Sequence, residues 1–338
     1  MTKKNGPEKK RRFDRRAMET VSAKVNQLMQ GQNFASLEEA NMFLMENACG
    51  LKLDEFAYQP KTSLEQAQYI MWDAFDEPSK KKRIAMADQA LAISQDCADA
   101  YVVLAEDRSR NIEEEIGFYR KGVEAGKRAL GEETLQSSET HFWSDLRTRP
   151  YMRAINGLAC ALHSDEQFAE AIALWKELLR LNPNDNQGVR TLLAPALVEA
   201  NLLAEAEDLF RAYAGETSAH MMYSRALCRF KKYGDSPLAN DALKEAMEEN
   251  SHVLELLWGV RKLPKRQPAS YSPGSPEEAE GYVGIAIHSW IHTDRAIDWI
   301  ADFISRAIQK RRLANTFPGL IAEPSSDNVV DINSLRRR

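Results

Sequence analysis

Apolar residues recur at three- and four-residue intervals along most of this chain, the period of an amphipathic α-helix, and alternating stretches of strand type are almost absent. The segment from Phe168 to Pro183 carries the pattern most fully. A small residue, Ala171, is followed one turn later by the bulky Trp175, and Leu178 and Leu179 continue the stripe. Pro183 ends it, because proline cannot continue a helix and drives Asn182 out of the helical region. Two steps of about 34 residues lead from Pro183 to Ser251. Ahead of Ser251 the small–bulky–small order returns as Ala239, Leu243 and Ala246. A helix repeating at that period is the second arm of a repeating helical hairpin.

Cap and turn chemistry places the other elements. Arg15 to Gln30 reads as a helix stopped at Gly31. Ser36-Leu37-Glu38-Glu39 and Thr62-Ser63-Leu64-Glu65 are capping boxes, in which a hydroxyl and a carboxylate satisfy the free N–H groups of a helix start. They open helices running to about Gly50 and Phe75. Pro78 fits the first turn of a helix reaching Ser94. Ala87, Ala90 and Leu91, then Ala100, Tyr101, Leu104 and Ala105, mark the junction of two hairpins. The next helix, over 112–130, carries Gly117, Gly122 and Gly126, each costing about 1 kcal/mol relative to alanine, and their spacing allows close packing. Residues 131–150 read as an insertion containing His141-Phe142-Trp143. Hairpins resume as 151–163 with 166–181, 186–200 with 203–214, and 219–232 with 236–249; Pro195 is expected to kink one of them. Four prolines and Gly274 make 262–276 a loop. Two last helices follow, over 276–291 and 293–308.

Hairpins of this period and order are tetratricopeptide-like and predict an all-α, right-handed α-solenoid. The expected organisation is a basic disordered tail over 1–16, N-terminal helices over 17–61, first hairpins over 62–130, and the insertion over 131–150. Regular hairpins over 151–250, a loop with capping helices over 251–308 and a disordered tail over 309–338 complete it. With Pro183 and Ser251 closing repeats, the concave side receives Arg153, Asn156, Cys160 and His163 from one first helix. Gln187, Arg190 and Ala194 come from the next, and Met221, Ser224, Cys228 and Lys231 from the third. Arg153, Arg190 and Lys231 suit a partner's carboxylate, which arginine grips with two parallel hydrogen bonds; the competing expectation is that these cations are paired within the chain. Trp143 is a candidate partner contact, whereas Trp175 holds a core position.

The stretches Ala98-Asp99-Ala100-Tyr101-Val102-Val103-Leu104-Ala105-Glu106, Leu181-Asn182-Pro183-Asn184-Asp185-Asn186, and Asn250-Ser251-His252-Val253 with Leu263-Pro264 resemble the suppressor of tumorigenicity 7 family. The chain looks closer still to bacterial tetratricopeptide proteins grouped with that family, in which segments like His141–Trp143 and Thr148–Arg153 precede the hairpins. The resemblance covers 62–306 with gaps. It implies a helical-repeat fold and an interaction role, and it transfers no catalytic residue. Two departures stand out. Ser251 occupies a position where the family has proline, and the N-terminal spans that animal members resemble having are not found here.

The net charge of −5 conceals a polarised layout. Residues 1–16 carry eight Lys/Arg against Glu8 and Asp14, and 309–338 carry six against three acids, so the middle is strongly acidic. Basic ends raise the alternative of a regulator contacting nucleic acid, but no stacking aromatics are interleaved with them. The longest apolar stretch, 282–304, is broken by His288, His292, Asp294, Arg295, Asp298 and Asp302, so no membrane span is expected. Cys49, Cys97, Cys160 and Cys228 lie far apart with no CxxC pair, which points to a reducing cytoplasm and away from a zinc cage or disulfide framework. Gly122 to Arg128 departs from a phosphate loop in glycine spacing and in the residue after Lys127. His288 and His292 share a helix face but lack a third ligand, and neither His141 nor His163 stands beside a nucleophile motif. The expectation is a non-enzymatic cytoplasmic scaffold or adaptor for protein–protein interaction, without cofactor or metal.

Overall fold

Side-chain hydroxyls start the helices that the capping boxes mark. In the computed structural model, Ser36 Oγ accepts from the Glu39 N–H at 3.2 Å, and the Glu39 carboxylate accepts from the Ala35 N–H at 2.7 Å. Thr62 and Glu65 repeat the arrangement at 3.1 and 2.5 Å. The structure describes residues 14–48, 56–136, 142–265, 268 and 270–309; Cys49, His141 and most of the two predicted tails lie outside them. Among the described residues the regular elements are all helical. The chain divides into two compact units between Asn186 and Gln187.

In the first unit a 3-10 turn, Arg15–Met18, leads into α1 (Glu19–Met29) and α2 (Leu37–Asn47). Three hairpins follow: α3 (Ser63–Asp76) with α4 (Lys80–Ile93), α5 (Ala98–Arg108) with α6 (Ile112–Gln136), and α7 (Arg149–Ser164) with α8 (Phe168–Leu181). Each helix packs on the next, and the first helices also touch one another, α3 on α5 and α5 on α7. Fully buried alanines at 67, 74, 87, 90 and 100 permit these approaches. Gly122 and Gly126 of α6 do the same, whereas Gly117 faces open space: a Cβ on Gly126 would stand 2.8 Å from the Cβ of Tyr151.

Several boundaries differ from expectation. Pro78 precedes α4 instead of opening it, because Ser79 supplies the cap, 3.5 Å from the Lys82 N–H. The α6 helix continues past 130 through a break at Gly131 (φ 74), and α7 starts at Arg149 with Pro150 in its first turn, which shortens the insertion from both ends. Arg15 and Arg16 belong to the fold, and Arg16 binds Asp14 and Glu106. Between α4 and α5, Arg83 donates to both oxygens of Asp107 at 2.6 and 2.7 Å, with both side chains buried.

The second unit contains α9 (Arg190–Glu199), α10 (Leu203–Ala212), α11 (Ala219–Tyr233), α12 (Pro237–Glu249), α13 (His252–Leu257), α14 (Pro276–His292) and α15 (Ala296–Gln309). The short α13 follows Ser251 directly and precedes the loop expected over 262–276. Pro195 sits inside α9. Glu278, 1% exposed at the start of α14, accepts from the backbone N–H of Ala219 (3.2 Å) and Gly274 (2.8 Å) and from the Asn250 amide (2.9 Å). That carboxylate fastens the start of α14 to the start of α11. Large aromatics fill the remainder, with Trp299 stacked on Phe230 at 4.4 Å and the Trp290 N–H donated to the Tyr282 hydroxyl at 2.8 Å. His220 is buried between Tyr271 and Tyr282, and burial pushes its pKa down to about 4.

Two measurements test these packing arguments. Asp107→Ala leaves a buried guanidinium unpaired and is expected to cost about 3–5 kcal/mol in urea unfolding, whereas pairing Asp107→Leu with Arg83→Met restores most of that. His220 is neutral in the folded chain with a pKa below its ordinary 6.5, so the unfolded chain binds the extra proton. Its contribution is complete above that ordinary value and is lost as pH falls toward the folded one. Stability should therefore drop by about 3 kcal/mol across that window, and His220→Phe should flatten the drop.

Candidate binding groove

The first helices of the three hairpins converge on a chain of charged and polar groups. From α3, Gln68 donates to Asp99 Oδ2 at 2.7 Å. Asp99, at the start of α5 and fully buried, accepts from Arg153 of α7 through Nε (2.8 Å) and Nη2 (2.6 Å). Arg153 then grips a second carboxylate, Glu19 of α1, at 2.7 and 3.1 Å, and Arg149 approaches the same carboxylate at 3.4 Å. The Arg153 side chain is only 11% exposed. Burial works against its charge, but Asp99 and Glu19 outweigh it and hold the guanidinium above its ordinary pKa. Both arginines Arg16 and Arg153 also stand over the Phe75 ring, at 4.2 and 5.7 Å, where the face of the π-system favours a cation.

Beside this chain, a cavity of about 440 Å³ opens along α1, lined by Tyr58, Leu64, Trp72, Leu130, Leu146 and Tyr151 and touching Gln68. Tyr58 lies edge-on to Trp72 at 5.6 Å. The Trp72 indole N–H is buried with no acceptor among the described residues. Polar and charged residues, among them Asn26, Gln27, Lys61, Glu65 and Arg147, share the wall with these apolar side chains, so the cavity offers both kinds of contact.

The residues selected from the sequence are distributed as follows. Arg153 lies in the groove. Trp143 is half-buried nearby, with the Arg149 guanidinium 4.7 Å from its ring. Asn156 and His163, both half-buried, meet the partner helix of their own hairpin. Asn156 accepts the indole N–H of Trp175 at 3.1 Å, and the His163 ring is 5.5 Å from that of Trp175. The physical reason is that a buried indole N–H requires an acceptor.

The other four lie in the second unit. Met221 is a core residue and Gln187 is half-buried. Arg190 pairs with Glu216 and stands over Tyr213 at 5.3 Å. Lys231 donates to the Val198 carbonyl at 2.6 Å, and burial lowers its pKa. The expected trio of open cations is thus replaced by cations engaged within the chain. Sequence reasoning missed Glu19, Gln68 and Asp99. They lie 134, 85 and 54 positions from Arg153, so no local pattern links them.

The sequence profile of the ST7 protein family matches residues 54–262, which include Gln68, Asp99 and Arg153 but not Glu19. Among curated proteins, an ST7 homolog of Caenorhabditis elegans is 26% identical over 287 residues, covering 71% of this chain and 52% of its own. The suppressor of tumorigenicity 7 protein-like of Gallus gallus is 23% identical, over 70% of this chain and 46% of its own. The human protein of that description is also 23% identical, over 70% and 44%. The chain spans about half the length of the curated relatives it matches. No described helix is long and apolar enough to cross a membrane. With the profile matching well over half of its residues, the chain belongs to the ST7 family.

Proposed function

We propose that this protein is a non-catalytic interaction scaffold or adaptor of the tetratricopeptide-like α-solenoid type, working in the cytoplasm. In this reading the inner face of α3, α5 and α7 holds a peptide or protein segment through a carboxylate. The observation that carries it is the carboxylate already held there: Arg153, oriented by Asp99 and through it by Gln68 of the two preceding first helices, grips Glu19 together with Arg149. Bidentate guanidinium contacts give such a site direction as well as strength.

The surrounding chemistry favours holding over reaction. Burial pushes the Cys97 thiol up to about 12 and the Cys160 thiol to about 11, so neither supplies a thiolate near neutral pH. The acids nearest Arg153 are committed to ion pairs.

Ala129 is exposed and lines the cavity, so Ala129→Trp fills the cavity from outside without disturbing the core. Affinity purification of the full chain from its source cells should recover about tenfold less partner with this variant, the loss expected for ~1.4 kcal/mol of contact, at an unchanged unfolding midpoint. Unchanged recovery would remove this face from the model of function.

A further inference from the structure

The α1 helix is attached to the first unit by few and mostly polar contacts. Of its residues only Glu19 and Ala23 are buried, while Val21 within it and the preceding Met18 are 40% and 51% exposed. Past those two residues its ties include the Gln27 amide, exchanging hydrogen bonds with the Gln59 backbone at 2.8 and 3.0 Å, and Gln30, accepting from Lys61 at 2.7 Å. These exposed bonds exchange readily with water, so each adds little net stability. The next helix, α2, buries none of its residues. By contrast α3, α5 and α7 bury most of their apolar faces.

The charges are also arranged so that α1 can leave. Were Glu19 withdrawn, Arg153 would keep both of its hydrogen bonds to Asp99, and Asp99 would keep Gln68. The most buried cation, Arg153, would keep its counter-charge, and only the partly exposed Arg149 would lose its ion pair with Glu19, which avoids the condition that makes loss of a buried partner so costly. What remains is a floor with two guanidiniums, Arg149 and Arg153, aimed at one carboxylate position, and Gln68, which bonds Asp99, also lines the cavity that Ala23 of α1 borders. Glu19 and Ala23 are four residues apart and so occupy one helix face, which defines what the floor accepts. The floor residues Gln68, Asp99, Arg149 and Arg153 fall inside the family-matched stretch, and α1 falls outside it.

We propose that the inner face of α3, α5 and α7 is a receptor for an amphipathic helix of a partner protein. That helix presents a carboxylate with a small residue four positions later, and α1 is the built-in competitor it displaces. The proposal rests on the groove reading above and adds the partner's chemistry and its control. Because α1 is tethered, its local concentration is high, and a partner helix binds only the fraction of molecules in which α1 is released.

The test uses the full chain and a fluorescently labelled synthetic peptide of residues 14–31, read by anisotropy. Glu19→Arg in the chain sets a third positive charge against Arg149 and Arg153 and so releases α1. This variant should bind the wild-type peptide at least about tenfold more tightly than the unmodified chain does, and a peptide carrying Glu19→Arg should bind neither. A Glu19→Arg chain that keeps its helix content yet binds no peptide, or binds no better than wild type, overturns the proposal. If the variant loses helix content, hydrogen exchange on the unmodified chain decides: α1 amides opening ahead of those in α7 support it, and the two helices opening together overturn it. The Ala129→Trp result separates this from the groove reading. Lost partner recovery there, with no peptide bound by folded Glu19→Arg, overturns displacement while leaving the groove as a binding face.

Discussion

A guanidinium taken out of water must be met by a carboxylate, and in the first unit that requirement decides how three hairpins stack. Arg153 is set on the inner side of α7 and Asp99 at the head of α5, so their bidentate pair forms only when the two first helices lie side by side in one register. Gln68 extends the constraint to α3. Buried alanines on the same helices let them approach closely, and Met71, Phe75, Leu104, Met152 and Ile155 fill the space between. The ion pair excludes other registers, since a slip by one turn would strand a buried charge. Arg83 and Asp107 impose the same discipline between α4 and α5.

The second unit meets its buried polar groups in another way. Among the described residues no cation is paired with Glu278; two backbone N–H groups and the Asn250 amide supply the donors. One of those donors is the first residue of α11, where the positive end of the helix favours a negative charge. Around it, tyrosine and tryptophan rings carry the packing, and their hydroxyl and indole groups are joined to Asn250, Asn240 and each other. His220 stays neutral among those rings because burial outweighs the favourable charge of Glu216. The described part of the first unit thus meets buried charge with opposite charge, whereas that of the second meets it with neutral donors.

Much of the architecture was legible along the chain, and for local reasons. A capping box is complete within four residues, so Ser36–Glu39 and Thr62–Glu65 mark helix starts without knowledge of the fold. Trp175 could be assigned to the core from its place between Ala171 and Leu178, and it is buried. Positions failed where a neighbour distant in sequence intervened. Asn156 and His163 share the stripe of Arg153 closely enough to suggest one face, but the Trp175 indole draws them toward α8. Arg190 and Lys231 looked open because Glu216 lies in a loop and the Val198 acceptor is a backbone carbonyl, which a sequence pattern does not display.

That this is a helical protein could be read from the chain alone, because helix period, caps and small-residue spacing are short-range properties written within one or two turns. The sequence also singled out Arg153. Only the tertiary structure decided what Arg153 does. Its counter-charges come from positions 54 and 134 residues away, and Coulomb attraction depends on distance in space, without regard to separation along the chain. For the same reason Glu19, which reads locally as an ordinary acid in a helix's first turn, becomes the occupant of the groove only once α1 lies across α3 and α7.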